Sequence, residues 1–301
     1  MRTILRTLFI INPRSGTPKF VSRLQYLIHA HFGSDNHDVT VVNSRSLEHI
    51  LDLSTTAAMD GFGMVVAVGG DGTVNTTAQG LVGTETILGV LPTGSGNGFA
   101  RNVGIPLRLE KALQMLKDPH IRRIDVGKVG ERIFLVTCGI GWEAVIASIF
   151  EGSKIRGVLP YATTALSTFL QYEPQEVFIE AEPGGWTYRG RPMLLSIANM
   201  REYGVGVTIS PDADAMDGLL DICMIPRHDL LSALKYTPEM FRQRTENIPG
   251  YLRRLATSVV IRRQFAGNIH IDGSPIDAGE EVRISILPSA LNIVAQFGKS
   301  H

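Results

Sequence analysis

Two domains are predicted from the sequence: an α/β N-terminal domain on a parallel sheet, then a C-terminal domain that is mainly an antiparallel β-sandwich. Three observations carry this expectation. The 301 residues exceed what one hydrophobic core usually organises. Short apolar runs alternate with helical periodicity through the first part of the chain, the pattern of a parallel sheet covered on both faces. From Ile124 onward the period changes to strands joined by turns. The expected boundaries are 1–123 for the α/β domain and 124–287 for the β-rich domain, with 288–301 packing back on the first domain.

Taken in order, Leu5 to Ile11 is an apolar run ending in Asn12-Pro13-Arg14-Ser15-Gly16, a buried strand entering a glycine-containing loop. Thr17 can cap the next helix and Pro18 suits its first turn. Phe20, Val21, Leu24, Leu27, Ile28 and Phe32 then recur at helical spacing until Gly33. Val39 to Val42, Met64 to Val68 and Ile87 to Leu91 are further strands, with helices near Leu47 to Met59 and Thr73 to Leu81. In the second domain Ile124 to Lys128, Ile133 to Cys138, Glu176 to Ala181, Met193 to Ala198, Leu219 to Ile225 and Val282 to Leu287 read as strands. Two helical insertions, Ile155 to Tyr172 and Leu230 to Phe241, each carry one apolar face. Core packing is the expectation for both, and walling a lipid pocket is the alternative.

Composition removes several function classes. Apolar residues make up 44% and charged residues 19%, with Lys and Arg equal in number to Asp and Glu, so the chain is an ordinary globular one with no broad electrostatic attraction to nucleic acid. Cys138 and Cys223 lack metal-ligand or redox spacing and read as buried thiols. No apolar run reaches the roughly 20 residues of a spanning helix, and the N-terminus does not resemble a signal peptide. A cytoplasmic location is expected.

The strongest motif is Gly69-Gly70-Asp71-Gly72-Thr73-Val74-Asn75, where a buried strand delivers three glycines and one acid to a helix start. Glycines let the backbone approach a phosphate, and the first N–H groups of the helix point at it. Asp71 would repel phosphate alone, so it makes sense as a holder of Mg²⁺, directly or through water, or as an acceptor of a hydroxyl proton. An Asp-Gly turn with a helix cap is the structural alternative. One strand later comes Leu91-Pro92-Thr93-Gly94-Ser95-Gly96-Asn97-Gly98-Phe99-Ala100-Arg101, a second glycine-dense loop with Ser95 and Asn97 as hydrogen-bonding side chains. With Asn12 to Gly16 this makes three loops at successive strand ends, which a nucleotide site explains economically. Neither a Walker A sequence nor a G-x-G-x-x-G fingerprint is present.

These segments, in this order, resemble the diacylglycerol kinase catalytic family, which includes sphingosine kinases and bacterial lipid kinases. Asn199, the Tyr203-Gly204-Val205-Gly206 loop, Pro211, Ala213 and Asp217-Gly218-Leu219-Leu220-Asp221 look like the β-domain signature of that family, so the resemblance spans the chain. It implies an NAD kinase/diacylglycerol kinase-like fold and transfer of the γ-phosphoryl group of ATP to a membrane-lipid hydroxyl. By the same resemblance Asn12 to Gly16, Gly69 to Asn75 and Ser95 would contact ATP, with Asn43 or Ser44 as weaker candidates, across an interdomain cleft. Mg²⁺ would be held by the Asp217 side chain with main-chain oxygens of Asp214 and Leu219, an oxygen-only set that suits a hard cation.

One departure stands out. At Ile269-His270-Ile271-Asp272-Gly273-Ser274 relatives usually carry Asp-Gly-Glu, with the Glu as proton acceptor; here it is Ser274. Either Asp71, Asp272 or a nearby acid such as Asp277 takes the proton, or activity is weak or altered. Asp272-Gly273 can equally be a plain hairpin turn. Basic pairs Arg253-Arg254 and Arg262-Arg263, with Arg242 and Arg244 before them, could engage anionic headgroups or simply face solvent. The expected partners are therefore a lipid with a free hydroxyl and the inner membrane surface, contacted peripherally; a homodimer stays open. An NAD kinase and a non-catalytic nucleotide or lipid sensor are the competing readings.

Overall fold

The computed structural model describes residues 5–15, 17–33, 38–150, 158–204 and 206–297, without the side chains of Pro18, Phe150 and residues 158–163. Gly16, Val205 and the expected helix start at Ile155 lie outside the described residues. The chain divides into two compact units, one formed by residues 1–124 with 289–301 and the other by residues 125–288.

The first unit alternates strand and helix: β1 (Thr7–Ile11), α1 (Pro18–Phe32), β2 (Val39–Asn43), α2 (Leu47–Met59), β3 (Met64–Gly69), α3 (Asp71–Leu81), β4 (Ile87–Pro92), α4 (Gly98–Asn102) and α5 (Leu109–Lys117). Its strands run parallel in the order β2-β1-β3-β4. Every residue of β1, β3 and β4 is buried, which is why these strands read as unbroken apolar runs, whereas edge strand β2 is half-buried. Thr17 accepts the Phe20 N–H at 3.3 Å and Ser46 the His49 N–H at 3.2 Å, so both early helices start on side-chain caps. Phe9 meets Phe32 edge to face at 5.3 Å, fastening α1 to the sheet.

The C-terminal residues complete this unit. The end of strand 281–294 lies parallel to β4 with Ile293 opposite Leu88, and Gln296 N donates to Val103 O at 2.9 Å. Gly104, at φ +72, has no room for a side chain because a Cβ would stand 1.9 Å from Gln296 O.

The second unit begins within β5 (Ile121–Val129) and continues through β6 (Arg132–Phe134), β7 (Thr137–Gly141), α6 (Trp142–Phe150), α7 (Val158–Gln171), β8 (Val177–Glu182), β9 (Trp186–Gly190) and β10 (Pro192–Ala198). It proceeds through β11 (Glu202–Gly204), β12 (Val207–Thr208), β13 (Leu220–Pro226), α8 (Leu230–Phe241), β14 (Leu252–Ala256), β15 (Ser258–Arg263), β16 (Gly267–Ile271), β17 (Ser274–Ala278) and the first part of β18 (Glu281–Val294). One antiparallel sheet has the order β14-β13-β10-β7-β16-β17; β18, β15, β8 and β9 form the facing antiparallel layer. Ile140, Ile197, Ile222 and Ile269 meet Ile179, Val259, Ile261 and Ile284 between the layers, which makes a β-sandwich. A smaller cluster on the outer face of the six-stranded sheet, around Leu194, Ile209 and Cys223, receives Trp142, Tyr203, Tyr236 and Met240.

Core packing does not describe α8. Tyr236 and Met240 pack inward, but Leu231, Leu234 and Phe241 are 79%, 59% and 56% exposed, and no residue of the helix is fully buried. The apolar periodicity was real, yet only part of it faces the sheet, because the cluster beneath is filled by Trp142, Tyr203 and Tyr251. In α7 the exposed side chains Leu166 and Leu170 likewise depart from core packing, while Phe169 meets Trp142 at 5.6 Å.

Candidate active site

Because β1, β3 and β4 are adjacent and parallel, the segments that follow them emerge at one edge of the sheet. Asn12 Nδ2 donates to Thr73 Oγ1 at 2.9 Å, joining the first loop to the start of α3. Pro13, Arg14 and Ser15 form a single 3₁₀ turn, closed by Ser15 N to Asn12 O at 3.1 Å and Arg14 N to Asn12 Oδ1 at 3.0 Å. Thr93 N donates to Gly69 O at 3.0 Å between the second and third loops.

These two loops touch backbone to backbone. A Cβ on Gly94 would stand 2.5 Å from Gly70 Cα, and one on Gly70 3.2 Å from Gly94 Cα. Gly94 therefore needs glycine for this approach, while a Cβ on Gly70 would require its neighbour to give by a few tenths of an ångström. Asn97, left-handed at φ 50, folds its amide back on Gly94, accepting from Gly94 N at 3.0 Å and donating to Gly94 O at 2.9 Å. Asn97 is thus a loop brace. Ser95 lies between these contacts. Gly70 precedes α3, which starts without a side-chain cap; Thr73 N and Val74 N donate to Gly70 O at 2.9 and 3.1 Å.

Asp71 Oδ1 accepts the Phe99 N–H at 3.0 Å, so its carboxylate ties the second loop to the third. Oδ2 lies over Gly96, where a Cβ would come within 3.3 Å. Burial pushes the Asp71 carboxyl above the usual range, with N–H groups of Phe99, Gly98, Asp71 and Asn97 pulling the other way. Val74 is buried and Asn75 half-buried on α3, so Val74 has only its backbone to offer. Asn43 is exposed at the end of β2 and meets Gln25 at 3.5 Å; Ser44 is buried and donates to Ile11 O at 3.2 Å. Neither joins the interlocked group.

In the second unit the expected metal loop is folded on itself. Asp214 Oδ1 accepts Met216 N at 3.0 Å and Asp217 Oδ1 accepts Leu219 N at 2.9 Å. Buried Asp125 accepts Gly218 N at 2.7 Å, and Asn199 donates to Asp125 O and Leu135 O, both at 2.9 Å. Partial burial first, then the charges of Asp214, Asp221 and Asp125, raise the Asp217 carboxyl. A cation would relieve that excess of negative charge, so Asp217 with main-chain oxygens fits a hard ion. Among the described residues no three His, Cys, Asp or Glu side chains converge as a ready cage.

Asp272, at φ 47, occupies the β16–β17 turn and receives three amides: Leu135 N at 2.9 Å on Oδ2, with Val136 N at 2.8 Å and Thr137 N at 3.0 Å on Oδ1. The turn reading fits this carboxylate better than a proton acceptor does. The basic pairs are also largely committed. Arg253 pairs with Asp221, Arg262 with Glu180 and Glu281, and buried Arg263 donates to Gly267, Asn268, Ala278 and Gly279 carbonyls.

Sequence reasoning missed Asp125 and a buried group formed by Glu143, Tyr203 and His270. A lone acid between Ile124 and Val126 in an apolar strand was the available signal for Asp125. Glu143, Tyr203 and His270 come from three distant segments and share no local motif.

Residues 6–129 match the diacylglycerol kinase catalytic domain, and residues 136–295 the YegS C-terminal NAD kinase beta sandwich-like domain. The chain is 32% identical over 249 residues to the "Probable lipid kinase YegS-like" of Pseudomonas putida, covering 80% of each. It is 32% identical over 235 residues to the protein of the same name from Enterobacter sp., covering 76% of each. A solved Bacillus anthracis structure named a diacylglycerol kinase shares the fold, with TM-score 0.77 at 21% identity over 98% of this chain and 99% of its own. No helix among the described residues is long and apolar enough to cross a membrane. Matched along nearly its whole length in both of its units, the chain belongs to the YegS-like lipid kinases of the diacylglycerol kinase family.

Proposed function

We propose that the protein transfers the γ-phosphoryl group of Mg²⁺-ATP to the hydroxyl of a membrane lipid, diacylglycerol or a sphingoid base. The observation that carries this reading is the interlocked edge of the first unit. There Asn12, Gly70, Asp71 and Gly94 draw three loops together beside the uncapped start of α3. Backbone N–H groups of residues 69–75, with Asn12 to Ser15 and Ser95, would hold the phosphates. Asp71 fixes the two glycine loops against each other, and its carboxylate would serve the nucleotide's cation.

Asp217, with the main-chain oxygens of Asp214 and Leu219, would hold Mg²⁺, which supplies charge neutralisation for the transferring group. Phosphoryl transfer depends mainly on positioning and charge, so the absence of a carboxylate at residue 274 is compatible with turnover.

Peripheral membrane contact belongs to this reading. Leu231, Leu234, Pro238 and Phe241 form an exposed stripe along α8, with Lys235, Arg242 and Arg244 exposed beside it. Two of the acids nearby are engaged: Asp229 caps α8 through Ser232 N, and Glu239 bonds Arg242 and Asn247.

The test is transfer of radiolabel from γ-labelled ATP to neutral, sphingoid and isoprenoid alcohols, separated by thin-layer chromatography, with NAD as a further acceptor. A labelled lipid is expected; label on NAD alone refutes the lipid reading. Ser274 favours a second reading, a nucleotide or lipid sensor, which magnesium-dependent ATP binding without turnover on any acceptor would establish.

A further inference from the structure

The hairpin that carries Ser274 packs against a helix that holds a buried carboxylate. Glu143 is the second residue of α6, directly after the turn out of β7, and α6 packs on β16 and β17, the hairpin that carries Ser274. Asn268 Nδ2 to Ser148 Oγ, at 2.7 Å, fixes the other end of that contact. The Glu143 side chain is only 9% exposed and that of His270 5%.

Both neighbours of this carboxylate approach the same oxygen. Tyr203 donates its O–H to Glu143 Oε2 at 2.5 Å, and His270 Nε2 stands 3.4 Å from Oε2. His270 Nδ1 accepts the Gly273 N–H at 3.3 Å, so Nδ1 carries no proton and Nε2 presents one to Glu143. Burial, then the Glu143 charge, push the Tyr203 phenol well above its ordinary range, which keeps it a donor. Oε1 is buried and has no hydrogen-bond partner among the described residues. A buried acceptor left open is costly, more so when it is charged, so its retention calls for a reason.

The surroundings are shaped for this pair. Gly139 lies opposite His270 across the sheet, and a Cβ there would stand 2.0 Å from His270 Nε2 and 2.4 Å from Glu143 Cδ. Any side chain at 139 would evict both groups. Asp272 on the same hairpin has amides on both oxygens, and Ser274 offers only a hydroxyl. Asp277 of β17 is exposed and lies opposite Asn268, at the end of the hairpin away from its turn, so Glu143 is the buried carboxylate on this side with an open oxygen. Among the described residues the Glu143 charge also reaches Cys138 of β7 and Tyr172, just beyond α7.

We propose that Glu143 is the proton acceptor of the phosphoryl transfer, with Oε1 receiving the lipid hydroxyl and Tyr203 and His270 acting as positioning residues on Oε2. This rests on the lipid-kinase reading above. In the step, the hydroxyl O–H bond breaks and its proton passes to Oε1, while the oxygen's electron pair forms the bond to the γ-phosphorus. The bond from that phosphorus to the β,γ-bridging oxygen breaks, and its pair leaves on ADP. Glu143 then returns the proton to water.

The experiment compares wild type, Glu143→Gln, Ser274→Glu and the double variant on detergent-dispersed lipid alcohols with Mg²⁺-ATP, measuring kcat and KM across pH, with thermal unfolding of each. Glu143→Gln is expected to lower kcat about 10²–10⁴-fold, the usual contribution of a general base, with the KM for ATP unchanged. Ser274→Glu in that background returns at least about tenfold of the loss by restoring a carboxylate to the hairpin. Tyr203→Phe removes a donor that positions Oε2 and is expected to lower kcat while leaving the KM for ATP unchanged.

A Glu143→Gln enzyme that is folded and retains kcat overturns the proposal. So does a double variant no faster than Glu143→Gln. If Glu143→Gln does not fold, Tyr203→Phe decides, and an unchanged kcat in that variant overturns it. Wild-type protein that phosphorylates no alcohol at all sinks the lipid-kinase reading and this inference together, whereas a wild type that turns over with a fully active Glu143→Gln sinks only the role of Glu143.

Discussion

Replacing Gly94 by alanine tests the interlocked loops most directly. The added Cβ would stand 2.5 Å from Gly70 Cα and 2.9 Å from Asn97 Oδ1, while ordinary contact begins at 3.4 Å. The loops must therefore part by about 0.9 Å, and since the nearest atom is backbone, no rotamer change absorbs it. Overpacking of this kind costs about 1–3 kcal/mol. If that cost falls on the nucleotide-bound arrangement, Mg²⁺-ATP binds about five- to 150-fold more weakly. Titration calorimetry on wild type and Gly94→Ala measures this, with Gly267→Ala, where nothing lies within 4 Å of the added Cβ, as control. A Gly94→Ala protein that binds Mg²⁺-ATP with the wild-type Kd would refute the idea that close approach of these loops forms the phosphate site.

Asp71→Asn keeps an oxygen for the Phe99 N–H but removes the charge, so phosphoryl transfer should nearly vanish in the radiolabel assay; full activity would remove Asp71 from the mechanism. Since folding raises the Asp71 pKa above its usual 3.8, its stabilising contribution is fully present below 3.8 and is lost as pH rises through the folded value. Asp71→Asn should accordingly gain more Tm at pH 7 than at pH 3.5, compared by calorimetric scans. Arg263→Met strands carbonyls of Gly267, Asn268, Ala278 and Gly279, and urea unfolding should show a loss of about 2–4 kcal/mol. Leu231→Glu with Leu234→Glu should abolish co-sedimentation with anionic phospholipid vesicles while leaving Tm and transfer to detergent-dispersed lipid unchanged; undiminished sedimentation would refute contact through α8.

The first unit was largely legible in the sequence, because both faces of its central strands are covered and their residues are uniformly apolar. The glycine loops were legible for the same reason, each standing at the end of such a strand. The role of Asp71 was half-legible: its place in the motif was visible, but its bond to Phe99 N spans 28 residues and arises only from the pairing of β3 with β4. In the second unit, Leu255 to Ile261 reads as one apolar stretch, yet the chain turns at Thr257 and sends β14 and β15 to different sheets. Nothing local announces that break. The exposed stripe of α8 has the same origin: periodicity locates an apolar face but does not say what fills the space opposite it.

The strand contributed by the C-terminus has a consequence for biogenesis. The parallel sheet lacks its neighbour for β4 until residues near Ile293 have been synthesised. During translation, then, the first 124 residues would wait with an open, fully apolar strand at the sheet margin while the whole β-sandwich is made. A fragment cut at residue 124 inherits that open margin permanently and should aggregate, whereas appending residues 289–297 through a flexible linker would close it.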